Sequence, residues 1–217
     1  MIYQKRVDRI KDMLDKRQPT LELFLDDVSS SQNISAIIRS ADCVGIYKIY
    51  YALKKSQNIK IHPTITQGSQ NWVFKKRVEY NNRLDFIKNK KNDGYTIVST
   101  SLDSNSISYR DYDYTKPTLI IMGNEKDGIS KEVLDISDIK IKIPLMGMAQ
   151  SLNVSVATSI ILYEAQRQRE EANLYSKCQL DNDEYKKLLD YFIFRDTITK
   201  KSRGRIKIDK SKLYLQW

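Results

Sequence analysis

The chain has one histidine, two cysteines, four prolines and seven glycines among 217 residues, and each scarcity closes off a kind of protein. A Ser–His–Asp or Cys–His machine, or a site with several histidine ligands, has only His62 to draw on. That residue lies in Ile59-Lys60-Ile61-His62-Pro63, an ordinary loop-or-strand context, and reads as structural or exposed. Cys43 and Cys178 are too few and too far apart for a disulfide framework or a zinc site. Glycine is too scarce for a Walker A loop or a G-x-G-x-x-G fingerprint, and neither is present. No apolar run approaches the roughly 18 residues that span a bilayer, and no hydrophobic stretch characterises Met1 to Arg6. These absences predict a cytoplasmic protein with neither metal nor membrane among its partners.

What is present is a core and a basic excess. Apolar residues make up 41% of the chain, enough to fold. The formal charge of +10 is unevenly spread. Residues 1–17 hold six basic and three acidic groups, residues 195–212 hold eight and two, and the body between is nearly neutral. A neutral body with cationic ends suits a polyanion, and nucleic acid fits better than a membrane surface because no basic amphipathic helix shows in the tail.

Four short β-branched or aromatic runs, 48–53, 95–100, 118–122 and 139–143, read as strands. Helical patterns lie between and after them, at about 33–44, 79–92, 130–136 and 151–169. The alternation predicts an α/β fold, a mostly parallel sheet flanked by helices, with ligands beyond the carboxyl ends of its strands. The last of these helices carries two apolar rows. Leu152, Val156, Ile160 and Tyr163 form one; Val154, Ala157, Ile161 and Ala165 form the other. Such a stripe is too wide for one-sided burial and points to a second subunit, the alternative being a helix fully buried within the monomer. Helical appendages are expected at 7–14 and 183–193, which divides the chain into 1–19, a body at 20–170, and an extension with a basic tail at 171–217.

Three runs in that body carry a resemblance. Asn33-Ile-Ser-Ala-Ile-Ile-Arg39-Ser-Ala-Asp-Cys-Val-Gly45, Leu119-Ile-Ile-Met-Gly-Asn-Glu125-Lys-Asp-Gly128 and Ile143-Pro-Leu-Met-Gly-Met-Ala-Gln-Ser151-Leu-Asn153-Val-Ser-Val-Ala resemble, in order and spacing, the motifs of the TrmH/SpoU branch of the SPOUT methyltransferases. Arg17-Gln-Pro19, Gly68-Ser-Gln-Asn-Trp72, Asp113-Tyr-Thr-Lys-Pro117 and Ile161-Leu-Tyr-Glu-Ala-Gln-Arg-Gln-Arg169 are most similar to the members that methylate guanosine-18 in the D-loop of tRNA. The resemblance implies a SPOUT fold with a C-terminal trefoil knot, a homodimer, S-adenosyl-L-methionine as cofactor and tRNA as partner. The implied cofactor positions are Thr100, Gly123, Ile143 and Leu152. The implied catalytic set is Asn33, Arg39, Glu125, Ser151 and Asn153, with Glu125 in support of the site rather than as a base. Arg9, Arg17, Arg167 and Arg169 are the implied RNA contacts. Gln32 departs from the branch, which often has histidine there; it can donate to phosphate but cannot become cationic.

Arg39 then either assists removal of the 2′-hydroxyl proton or clamps the phosphate and stabilises the forming alkoxide. A guanidinium is normally a donor only, which makes the first role the harder one. Asn33, Ser151 and Asn153 are also candidates for helix caps. Two other functions compete: a ribose methyltransferase acting on ribosomal RNA, and a catalytically silent RNA-binding protein.

Overall fold

The computed structural model describes residues 4–55 and 59–201, with side chains to 195. The elements in chain order are α1 (Gln4–Asp15), β1 (Leu21–Asp26), α2 (Ser31–Cys43), β2 (Lys48–Ala52), α3 (Pro63–Thr66), β3 (Phe74–Arg77) and α4 (Arg83–Asn92). There follow β4 (Thr96–Thr100), β5 (Ile107–Ser108), β6 (Thr118–Gly123), α5 (Lys131–Ile136), β7 (Ile139–Lys142), α6 (Val154–Glu171) and α7 (Asn182–Lys201). All four strands read from the sequence are present. Most of the expected basic tail, 202–217, lies outside the described residues.

The strands form one sheet in the order β3-β2-β1-β6-β4-β7-β5, every neighbouring pair parallel. Parallel strands buried on both faces need covers on both. On one face Leu21, Leu23 and Leu25 of β1 pack with Ile34, Ile37 and Ile38 of α2 and Ile161, Leu162 and Ala165 of α6. On the other, Phe24 packs with Ile87 of α4 and Val133 of α5.

The central strand β1 escaped the sequence reading because Leu-Glu-Leu-Phe-Leu-Asp carries two carboxylates. Both are buried on the α4–α5 side, and both find partners from distant chain. Glu22 pairs with the Lys90 ammonium and accepts from the Tyr50 hydroxyl at 3.3 Å. Asp26 Oδ1 lies 3.4 Å from Arg83 Nε, while its Oδ2 accepts from the Ser130 amide. A buried charge is tolerable only when so compensated. The other unforeseen strands are the basic edge strand β3 and the two-residue β5.

The terminal helices are fastened to the body. Ile10 and Leu14 of α1, with Leu188 and Phe192 of α7, close over Tyr47, next to Trp72 and Phe74. On α6 the two apolar rows separate as expected: Val154, Ile161 and Ala165 are buried, whereas Val156 and Tyr163 remain 47% and 53% exposed.

Two arginines expected to contact RNA are corrected by the structure. Arg169 is 0% exposed and Arg17 only 1%. Arg169 donates to Tyr114 O at 2.8 Å, Gln18 Oε1 at 3.0 Å, Thr20 Oγ1 at 3.1 Å, Lys116 O at 3.1 Å and Thr20 O at 3.3 Å. Arg17 meets Asp42 at 2.8 Å, Trp72 O at 3.0 Å and Ile46 O at 3.3 Å. Both are internal ties: Arg169 bonds only to the segments that lead into β1 and β6, and Arg17 joins Asp42 of α2 to the segments that lead into β2 and β3. Burial lowers the pKa of each guanidinium, but from a starting value so high that both stay charged at neutral pH.

Replacing Arg169 by methionine should therefore cost about 3–5 kcal/mol, because it strands several buried acceptors. Arg167→Met should leave the urea midpoint where it is. Equal midpoints for the two variants would refute the structural role of Arg169.

Candidate active site

The first excursion of the chain runs outward from β1 through β2 to β3, and the second fills the sheet on the far side of β1. On that second side the carboxyl ends of β6, β4 and β7 border a crevice of the kind that holds ligands in open parallel sheets. A cavity of about 410 Å³ opens there. Thr100, Gly123, Ile143 and Leu152, the expected cofactor positions, all line it, as do Glu125 and Ser151. Its apolar wall comes from residues such as Leu102, Ile129 and Leu134. Leu102 carried no sign in the sequence, since a single leucine in a loop has no pattern.

One wall is the loop that follows β6. The Asn124 and Gly128 backbones pair with each other, at 2.9 and 3.0 Å, and fold it tightly. A Cβ on Gly123 would fall 2.3 Å from the Gly128 carbonyl carbon, so only glycine lets the strands of the loop pass. Asn124 has no distinctive spacing in the sequence; its side chain makes an Asx-turn, bonding the backbone two residues on. Its Oδ1 accepts from the Lys126 amide at 2.8 Å, and its Nδ2 donates to Asp27 O at 2.7 Å.

The three motif runs meet through side-chain amides. Asn33 Nδ2 donates to Glu125 Oε1 at 2.9 Å, and Asn153 Nδ2 donates to Asn33 Oδ1 at 3.0 Å. Glu125 also accepts from the backbone amides of Ser29 at 3.3 Å and Ser30 at 3.1 Å. Asn153 does cap a helix, accepting from the Ser155 amide at 2.8 Å, while using its other end for the site. Asn33 does not cap: Ser30 is the N-cap of α2, and Ser30 Oγ accepts from the Asn33 amide. Ser151 precedes α6 and stands in the cavity wall.

The Glu125 carboxyl is subject to opposing forces. Desolvation pushes its pKa up, but hydrogen bonds from Asn33 and from backbone amides outweigh this and hold it below the usual value. Arg39 is not part of the amide chain; it is exposed on α2 and donates from Nη1 to Ile65 O at 3.4 Å. Arg9 is exposed on α1. Arg167 is half-exposed and pairs with Glu164 at 2.7 Å and Glu171 at 2.6 Å.

A parallel α/β sheet with a cavity walled by its strand-end loops, and a polar cluster beside it, is the architecture of a small-molecule-binding α/β protein. The sequence profile of the SpoU rRNA methylase family matches residues 20–163, and the chain belongs to that family. It is 46% identical over 203 residues to the tRNA (guanosine(18)-2'-O)-methyltransferase of Aquifex aeolicus, covering 94% of this chain and 95% of that protein. It is 40% identical over 187 residues to the enzyme of the same name from Thermus thermophilus, covering 86% and 94%. The crystal structure of the A. aeolicus TrmH/SpoU tRNA modifying enzyme superposes with a TM-score of 0.84 at 47% identity, over 89% of this chain and 97% of that one. An AdoMet-bound rRNA methyltransferase from Sinorhizobium meliloti superposes with a TM-score of 0.62 at 31% identity, covering 73% of this chain and 59% of that one.

Because Glu125 has a depressed pKa, its stabilising contribution is complete above the unfolded carboxyl value near 4.3 and disappears as the pH falls through the folded value. Glu125→Gln should accordingly lose less thermal stability than the parent on acidification from about pH 6 to pH 3. Parallel losses for parent and variant would contradict the assignment.

Proposed function

We propose that this chain transfers a methyl group from S-adenosylmethionine to the ribose 2′-hydroxyl of guanosine-18 in the tRNA D-loop. The observation that carries the reading is the meeting of three motif runs, through Glu125, Asn33 and Asn153, at the edge of one cavity. The cavity fits the cofactor. Its volume lies within the range of small-molecule sites, Leu102, Ile129 and Leu134 offer apolar contact to a purine, and the charged lining, Glu125 and Asp127 with Lys126 and Lys142, suits a ligand that carries both signs of charge. When bound, S-adenosylmethionine supplies a methyl group already activated on a sulfonium. The chain's own part is to place the acceptor ribose in line and help its hydroxyl lose a proton.

Asn33 and Asn153 hold the reacting side rigid through directional amide bonds. Arg39, exposed and cationic, clamps the RNA phosphate beside the ribose and stabilises the oxygen as negative charge develops. Arg9 on α1 adds phosphate contact. Residues 1–19 and 171–217 act as an RNA-facing accessory to the methyltransferase body at 20–170.

The active form is a homodimer in the cytoplasm, with the body tied in a trefoil knot. The exposed row of α6 and the loop before it support the dimer: Met146 and Met148 are 94% and 100% exposed, and water is a poor environment for them.

The test is transfer of labelled methyl to unmodified tRNA transcripts, followed by mapping of 2′-O-methyl sites. Label should fall on guanosine-18, and Arg39→Ala should lower kcat/KM by about a hundredfold or more. Label on ribosomal RNA alone would move the substrate, and no label with intact cofactor binding would indicate a silent RNA-binding protein.

A further inference from the structure

The single histidine, unremarkable in sequence, holds a specific position against α2. Ser31, Ser35 and Arg39 recur every four residues and so share one face of that helix. All three bond to the turn that contains α3. Ser31 Oγ lies 2.9 Å from His62 Nε2. Ser35 Oγ accepts the His62 backbone amide at 2.9 Å while donating to Ser31 O at 2.7 Å. Arg39 Nη1 donates to Ile65 O at 3.4 Å. Two of the three rungs converge on His62.

The helix thus has two working faces. Asn33 serves the cavity side, through Glu125 and Asn153. The other face sets Arg39 against a backbone carbonyl. That carbonyl belongs to a one-turn helix capped at its start by His62 and closed at Gln67 by a left-handed backbone, φ +50°. The terminal carbonyls of such a turn lack helical partners and attract a guanidinium. An exposed arginine is otherwise free to sample many rotamers, so a catalytic one needs a restraint. His62 provides it indirectly, because the turn carrying Ile65 can hold Arg39 only while it stays fastened to α2.

We propose that His62 is a positioning residue for the methyl transfer: its bonds to Ser31 and Ser35 fix the α3 turn, and the Ile65 carbonyl of that turn orients Arg39 toward RNA. The inference rests on the reading of Arg39 as the RNA-facing cation of the reaction.

The experiment measures kcat and KM for an unmodified tRNA transcript, together with S-adenosylmethionine affinity, in His62→Leu, His62→Gln, Ser31→Ala and Arg39→Ala. His62→Leu breaks the side-chain bond to Ser31 and keeps the backbone bond to Ser35, so it should lose about threefold in kcat/KM for tRNA with cofactor affinity within about twofold. His62→Gln, whose amide reaches the Ser31 hydroxyl, should regain most of that loss. Ser31→Ala removes one rung with little threat to folding and should lose about threefold in the same parameter. Unchanged tRNA kinetics in His62→Leu or Ser31→Ala, beside an inactive Arg39→Ala, would overturn the role of His62 alone. So would a His62→Gln as impaired as His62→Leu, or cofactor affinity falling in step with activity. A fully active Arg39→Ala would remove both the catalytic reading of Arg39 and this inference.

Discussion

A buried guanidinium with no carboxylate among its hydrogen-bond partners ties the sheet to α6, the long helix that covers its middle. Arg169, near the end of α6, spends its donors on Gln18 and Thr20 at the entrance to β1, and on Tyr114 and Lys116 before β6. These are the two central strands, and Thr118 donates to Thr20 O across their start at 2.8 Å. Charge delocalised over a planar fork suits a site made of scattered carbonyls, which a lysine could satisfy only in part. At the opposite end of the same helix Asn153 reaches Asn33. A helix of 18 residues spans roughly 27 Å, so α6 runs the depth of the sheet and is pinned at both ends. The Asn153–Asn33 contact keeps its register because a cation far from it keeps the helix in place.

The site uses the same economy of long-range ties. Residues 26–30, which link β1 to α2, hold the loop after β6 at several points. Asp26 takes Ser130, Asp27 O takes Asn124, and the amides of Ser29 and Ser30 take Glu125. Asp27 adopts a left-handed backbone, φ +60°, uncommon for a side chain other than glycine but best tolerated by Asp and Asn, and its carboxylate accepts the Lys54 amide at 2.9 Å. The loop after β6 and the start of α2 are therefore parts of one hydrogen-bonded unit. The tight loop after Gly123 leaves little room for adjustment on either side.

Much of this was legible in the residues. β4 and β6 read as strands because Thr-Ile-Val-Ser-Thr and Thr-Leu-Ile-Ile-Met-Gly are β-branched or apolar runs, which is the mark of a strand buried on both faces. The split of α6 into a buried and an exposed row followed from spacing alone. β1 was illegible for the converse reason: its carboxylates look like surface until Lys90 and Arg83 are brought to them by α4, more than fifty residues later. His62 was passed over because a histidine beside a proline has no local signature; its partners belong to a different helix.

The sequence by itself determined the alternation of strands and helices, the basic ends, and the residue types available for methyl transfer, because each is written in a local run or in a motif with its own spacing. Tertiary structure alone decided which arginines face solvent and which tie the interior together. Arg39 and Arg169 are identical in sequence terms, each a cation on a helix. One ends on the surface, and the other inside a ring of carbonyl and side-chain oxygens drawn from Gln18 to Lys116. Whether a charge can be buried depends on acceptors supplied by remote chain, and no local pattern records where those will be.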